Sequence, residues 1–213
     1  MAEYVGAQWI RAALQVNPFG YKGGNEPSKR YASEDDYNEA LLDQCDALSI
    51  RMLAITDHWC VDTAAGVISA AEARGIVALP GFEANTSEGV HLLVIFEAGT
   101  PFSEINAGIG ICGGTPGDSG TGRRGYGAVV DAMTARGALV ITAHVTVAPT
   151  GLLARGRDPP LHRLLKPPRV QALRINPEGA APQAPASVRD RRRPFAPHRH
   201  PHQHYTSDLT GAT

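Results

Sequence analysis

Residues 49–83 read SIRMLAITDHWCVDTAAGVISAAEARGIVALPGFE, and this stretch decides the fold class. SIRMLAIT is a short apolar run of the buried-strand type, VDTAAGVISAAEARG reads as a helix whose Gly75 fits a C-terminal cap, and IVALPGFE is a second apolar strand. Upstream, WIRAALQV reads as a strand and SEDDYNEALLDQCDALS as a helix opened by Ser33, with acids in its first turn and Tyr37, Leu41, Leu42, Cys45 and Leu48 on one face. Downstream, GVHLLVIFE is a strand, residues 101–112 a short helix, GGTPGDSGTGRRGYG a glycine-rich loop, GAVVDAMTARG a helix and ALVITAH a strand. Strand-then-helix order repeated in this way predicts an α/β layer or barrel.

The chain has 213 residues, 43% hydrophobic and 19% charged, enough to bury one sizeable core. Its formal charge of -1 argues against a basic nucleic-acid binder, but the charge is unevenly spread. Residues 1–150 carry nine basic and seventeen acidic side chains; residues 151–213 carry eleven basic and four acidic. Beyond residue 177 the alternation of elements stops. Residues 178–213 hold four large apolar side chains, Val188, Phe195, Tyr205 and Leu209, five prolines and the run RDRRRPFAPHRHPHQH. The expected organisation is an α/β domain over 1–177 and a tail over 178–213 that is either disordered or out of frame, the second being favoured. No run reaches the roughly 18 apolar residues of a membrane span, and the N-terminus lacks the order of a signal peptide, so a cytoplasmic protein is expected. Cys45, Cys60 and Cys112 are too few and too scattered for a disulfide framework.

Three histidines sit at or near predicted strands: His58 ends ITDH, His91 lies near the start of GVHLLVIFE and His144 ends ALVITAH. Glu83 follows a strand in LPGFE, and Asp57 precedes His58. Imidazoles and carboxylates on one rim suit a zinc, manganese or iron ion, and such ions can clamp phosphoester oxygens and acidify a bound water. The bland alternative makes Asp57 a helix cap, Glu83 a solvated acid and the histidines local hydrogen-bonders.

The order ITDH, LPGFEAN, GVHLLVIF, GALVITAH resembles the PHP (polymerase and histidinol phosphatase) family over about residues 9–153. That resemblance implies a distorted (β/α)7 TIM-like barrel, here incomplete at its C-terminal end, with up to three divalent metals and phosphoester hydrolysis by metal-activated water. It implies His58, Glu83, His91 and His144 as metal ligands, Glu83 as the bridging carboxylate, and Glu83, His58 and Asp57 as the catalytic set. The ion would be manganese, zinc or magnesium.

Two departures stand out. The stretch ALQVN places Gln15 and Asn17 where the family has His-x-His, and Ala13 where it has an acid; the closing Asp-x-His is replaced by Asp208-Leu209-Thr210. Amides are poor zinc ligands but can serve magnesium. Weak activity with well under three ions is therefore expected. ALQVNPFGYKGG also resembles the branch in which this domain precedes an SMC-like ATPase, which implies an ATPase domain or partner alongside a phosphoester substrate, a nucleotide or nucleic acid among the candidates. The alternative function is a non-catalytic nucleotide-binding or interaction module. GDSGTGRR (117–124) lacks the Lys and Ser/Thr of a phosphate-binding loop and is read as surface loop; Cys60, His198, His200, His202, His204 and Arg191–Arg193 are read as non-functional.

Overall fold

The computed structural model describes residues 9–153 and the backbone of residues 172–173. The expected tail and its histidines lie outside the described residues. The strands are β1 (Arg11–Val16), β2 (Ile50–His58), β3 (Val77–Asn85), β4 (His91–Ile95), β5 (Leu139–Thr142) and β6 (Ala172–Leu173). The helices are α1 (Glu34–Ala47), α2 (Ala65–Ala73), α3 (Phe102–Cys112) and α4 (Tyr126–Thr134). The six strands form one sheet in sequence order.

Local chemistry explains the first half. Ser33 accepts the Asp36 N–H at 3.1 Å and so caps α1, whose first turn carries Glu34, Asp35 and Asp36 against the positive helix end. Gly75 takes φ 68, the left-handed conformation that ends α2 and turns the chain into β3. The β1, β2 and β3 strands are consecutive parallel neighbours joined by α1 and α2.

The pattern then changes. A five-residue link carries β3 into β4 as an antiparallel hairpin, with Thr86 N–H donating to Val90 O at 3.0 Å and Gly89 N–H to Thr86 O at 2.7 Å. No helix separates these two strands, in keeping with the successive strands IVALPGFE and GVHLLVIFE read from the sequence, and the link is too short for the crossover that parallel pairing needs. The β5 strand is antiparallel to β4 and hence runs with β1–β3.

All four helices cover one face. Leu41, Leu42 and Cys45 of α1 and Val67 and Ala71 of α2 pack on Ala13, Leu53, Ile55 and Ala78. Ile105, Ile109, Val129 and Met133 of α3 and α4 pack on Phe82, Leu92, Val94 and Val140. The opposite face holds a smaller cluster, Ala54, Leu93, Ile95, Ile141 and Ala143, with Leu14 and Leu79 against it. A mixed sheet in sequence order with its helices on one side matches part of a TIM-like barrel.

Candidate functional site

The inner face changes character along its length. Alternation puts Ala54, Thr56 and His58 of β2 on this face, and Leu79, Gly81, Glu83 and Asn85 of β3. Register pairs His58 with Glu83 and Asn85 with His91. Because β4 runs the other way, its first residue meets the last residues of β2 and β3. One end of the inner face is therefore apolar, and the end at the C-termini of β2 and β3 is polar.

The β1 strand reaches the same end by an irregularity. Ala13 pairs with Leu53 and Val16 with Ile55, so two residues, Leu14 and Gln15, stand opposite Ala54 alone. Such a bulge re-aims a side chain, and Gln15 uses it to turn inward. Its Nε2–H donates to Glu83 Oε2 at 2.8 Å.

Glu83 is the centre of the group, at 2% exposure. Its Oε1 lies 2.6 Å from His91 Nδ1 and 3.1 Å from His144 Nε2, and the two ring nitrogens are 3.2 Å from each other. One ligand atom each from His58, Glu83 and His91 falls within 4.8 Å of the others. Burial alone would raise the carboxyl pKa of Glu83; hydrogen bonds from His144 and His91 and the charge of His58 outweigh it and hold the group well below the usual carboxylate range. Donors about 3 Å apart match the edges of a coordination sphere with bonds of about 2.1 Å. His58 Nδ1 is buried without a hydrogen-bond partner, as are Thr56 Oγ1 and Asn85 Oδ1 on the same face. A buried imidazole nitrogen left unpaired beside a carboxylate and two further imidazoles fits a divalent cation.

His144 arrives differently from the expectation. The β5 strand ends at Thr142, and His144 sits in the following turn with φ 33. Trp59, directly after His58, has φ 46. Left-handed backbone at a bulky residue is costly and is held only where surroundings dictate it.

Asp57 serves the turn after β2: its Oδ1 accepts the His58 N–H at 2.7 Å and its Oδ2 the Thr63 hydroxyl at 2.9 Å. Burial raises its pKa. Asn17 gives its backbone carbonyl to the Tyr37 hydroxyl. Cys60 Sγ lies 3.7 Å from the Thr63 hydroxyl oxygen, whose proton goes to Asp57. The structure thus brings together His58, Glu83, His91 and His144 and adds Gln15 as a partner of the carboxylate.

Two residues escaped the sequence reading. Asn85 lies two positions beyond Glu83, and alternation alone places it on the same face. Tyr21 lays its ring on His58 at a centroid distance of 5.7 Å. Burial, with Glu83 and Asp57 adding to it, pushes its phenol up to about 12. Its signal was the glycine-flanked FGYKGG, which permits tight packing.

No protein-family model matches the sequence, and no curated protein matches it. Solved structures do. A lesion-specific endonuclease from Pyrococcus furiosus is 11% identical with a TM-score of 0.51, over 68% of this chain and 37% of the endonuclease. An amidohydrolase from Chromobacterium violaceum is 17% identical with a TM-score of 0.49, over 77% of this chain and 76% of the other. A protein from Bifidobacterium adolescentis assigned as a metal-dependent phosphoesterase is 13% identical with a TM-score of 0.48, over 79% and 78%. At 11% identity the likeness to the endonuclease is one of fold, and this chain spans 37% of the endonuclease's length.

Proposed function

We propose that this chain is a metal-dependent phosphoesterase domain of the PHP type, with a distorted (β/α)7 barrel, that hydrolyses a phosphoester with weak turnover. The observation that carries the reading is the meeting of Glu83 Oε1 with His91 Nδ1 and His144 Nε2 within 3.1 Å, with His58 in reach. Glu83, His91 and His144 would hold one ion, with His58 a ligand of a neighbouring position. A divalent ion bound there supplies a water of lowered pKa and a positive centre for phosphate oxygens. Hydrolysis then breaks the bond from phosphorus to the leaving oxygen, water giving its oxygen to phosphorus and a proton to the leaving group.

The protein's own contributions follow from its contacts. Gln15 fixes the Glu83 carboxylate through Oε2, leaving Oε1 toward the histidines. Asp57 and Thr63 fix the backbone turn from which His58 projects, a positioning role rather than proton transfer. Tyr21 shields His58 from one side as a neutral phenol.

The same Gln15 contact favours a second reading. A carboxylate whose second oxygen is taken by an amide is poorly placed to bridge two ions, and a non-catalytic nucleotide-binding or interaction module would need no such bridge. Service to an ATPase domain is carried only by the resemblance of ALQVNPFGYKGG.

Calorimetric titration with manganese and with zinc, alongside hydrolysis of para-nitrophenyl phosphate, separates the two. The phosphoesterase reading expects uptake near one equivalent and slow turnover, both lost in Glu83→Ala. Metal uptake without any turnover favours the module, and no uptake by the unmodified chain overturns the metal reading.

A further inference from the structure

A pocket of about 180 Å³ lies beside the donor cluster, where the loop after β1, the turn after β2 and the glycine-rich loop between α3 and α4 meet. Lys22, Asp57, His58, Thr63 and Ser119 line it together with Gly20 and Gly117. His58 belongs both to this wall and to the donor cluster, so whatever fills the pocket abuts the cluster.

Glycine-rich loops have little bulk with which to hold a shape, yet this one is fixed in place. The Trp59 indole N–H donates to the Gly120 carbonyl at 2.9 Å, and the Gly117 N–H donates to the Trp59 carbonyl at 3.3 Å. Gly122 N–H donates to the Asn85 carbonyl at 2.6 Å. At Gly114 a Cβ would stand 2.2 Å from the indole ring, so only glycine allows the loop to lie this close. Trp59 is itself 1% exposed, stacked on Phe82. The opposite wall is looser but still tight: a Cβ on Gly20 would lie 3.0 Å from Thr63 Cγ2. Ser119 and Lys22 are thus presented from two loops that are each anchored to the site.

The charge of the pocket selects its occupant. Lys22 is a cation and Ser119 a hydroxyl donor, while both oxygens of the wall's single carboxylate, Asp57, already accept hydrogen bonds. Lys22 offsets the charge of that carboxylate, and with Ser119 it offers an anion one charged and one hydroxyl donor. The volume is below the roughly 300 Å³ at which pockets for drug-sized ligands begin, which suits a phosphoryl group with a few attached atoms.

We propose that this pocket is the phosphate-recognition subsite, in which Lys22 and Ser119 bind the terminal phosphoryl group of a compact phosphate monoester next to His58. The proposal rests on the phosphoesterase reading for its setting but not for its test. Inorganic phosphate is titrated into the full chain kept free of divalent ions by chelator, and manganese uptake is measured separately. Phosphate binding is expected in the unmodified chain, weakened about tenfold or more in Lys22→Gln and less in Ser119→Ala, the loss expected for a hydrogen bond to a charged group. Glu83→Ala should keep phosphate binding, and Lys22→Gln should keep manganese uptake. Lys22 and Ser119 are exposed, so neither change threatens the fold.

With manganese present, Lys22→Gln should raise KM for para-nitrophenyl phosphate more than it lowers kcat. No phosphate binding by the unmodified chain, or equal binding by Lys22→Gln, overturns the subsite. Lys22-dependent phosphate binding in a chain that takes up no manganese keeps the subsite and removes the phosphoesterase reading.

Discussion

The two faces of the sheet are built from the same strands and obey different rules. On the helix-covered face, Leu53, Ile55, Phe82, Leu92 and Val94 are buried and apolar and make the cores under α1–α4. On the inner face, the same strands place Thr56, His58, Glu83, Asn85 and His91, of which three carry buried polar atoms without partners. On the helix side such atoms are scattered, Asn38 Oδ1 of α1 and Asn106 Oδ1 of α3, whereas on the inner face they gather at one end. Stability resides on the helix side, and the inner face gives up packing to bring charges together, as functional sites do.

The sharpest way to break that contrast is Glu83→Ala. If the inner face is a metal site, manganese or zinc affinity should fall by more than about 100-fold, beyond the loss typical of an outer-shell change, and metal-dependent hydrolysis should vanish with it. The far-ultraviolet circular dichroism should stay unchanged, because the helix-side cores do not include Glu83. Equal metal content in the variant would make the inner face a mere polar patch.

Gln15 offers the next largest effect. Gln15→Ala leaves Glu83 Oε2 without its amide donor, and the carboxylate loses its fixed orientation. Metal affinity should drop by about 10–100-fold, the usual consequence of losing a hydrogen bond that orients a ligand. Gln15→His with Asn17→His should instead raise the bound metal by about one equivalent, read by elemental analysis of dialysed protein. No gain would show that the bulge at Leu14–Gln15 aims the new imidazoles away from Glu83.

Much of this contrast was legible in the sequence, for reasons that differ by region. The helix-side elements followed from periodicity: the Tyr37–Leu41–Leu42–Cys45 face is buried, and Ser33 and Gly75 act as the expected cap and stop. The candidate donors were named because histidines and acids stood at strand ends. The antiparallel turn into β4 could have been inferred from the short link with Gly89, since no crossover fits five residues. The bulge could not: nothing in ALQV distinguishes a strand with two adjacent inward residues, and only the pairing with β2 produces it. Nor could the anchoring of the 113–125 loop, which depends on Trp59 adopting a left-handed backbone.

A third, smaller effect concerns pH on the inner face. Tyr21 ionises at about 12 because burial, Glu83 and Asp57 disfavour its phenolate, against about 10 for a free tyrosine. Since the folded state binds this proton more tightly than the unfolded chain, the associated stability is full below about pH 10 and is lost as pH rises toward 12. Absorbance titration of the unmodified chain against Tyr21→Phe should isolate one late-ionising phenol. In Glu83→Gln it should ionise earlier, with burial still holding it above the free value. A Tyr21 that titrates like free tyrosine would place its ring away from His58 and remove the shield on that side.

The smallest expected effect tests the other face alone. Ser33→Ala removes the side-chain acceptor for the Asp36 N–H at the start of α1 and should cost about 1 kcal/mol, read as a shift in the urea midpoint with an unchanged m-value. The α1 helix packs through Leu41, Leu42 and Cys45 on the side of the sheet away from Glu83. Metal affinity and phosphate binding should therefore match the unmodified chain at temperatures where the fold is intact. The remaining link is the Tyr37 hydroxyl, which reaches from α1 to the Asn17 carbonyl at the end of β1. Should Ser33→Ala lower metal affinity in step with stability, that link transmits between the faces, and the separation of fold from site holds for β2–β5 but not for β1.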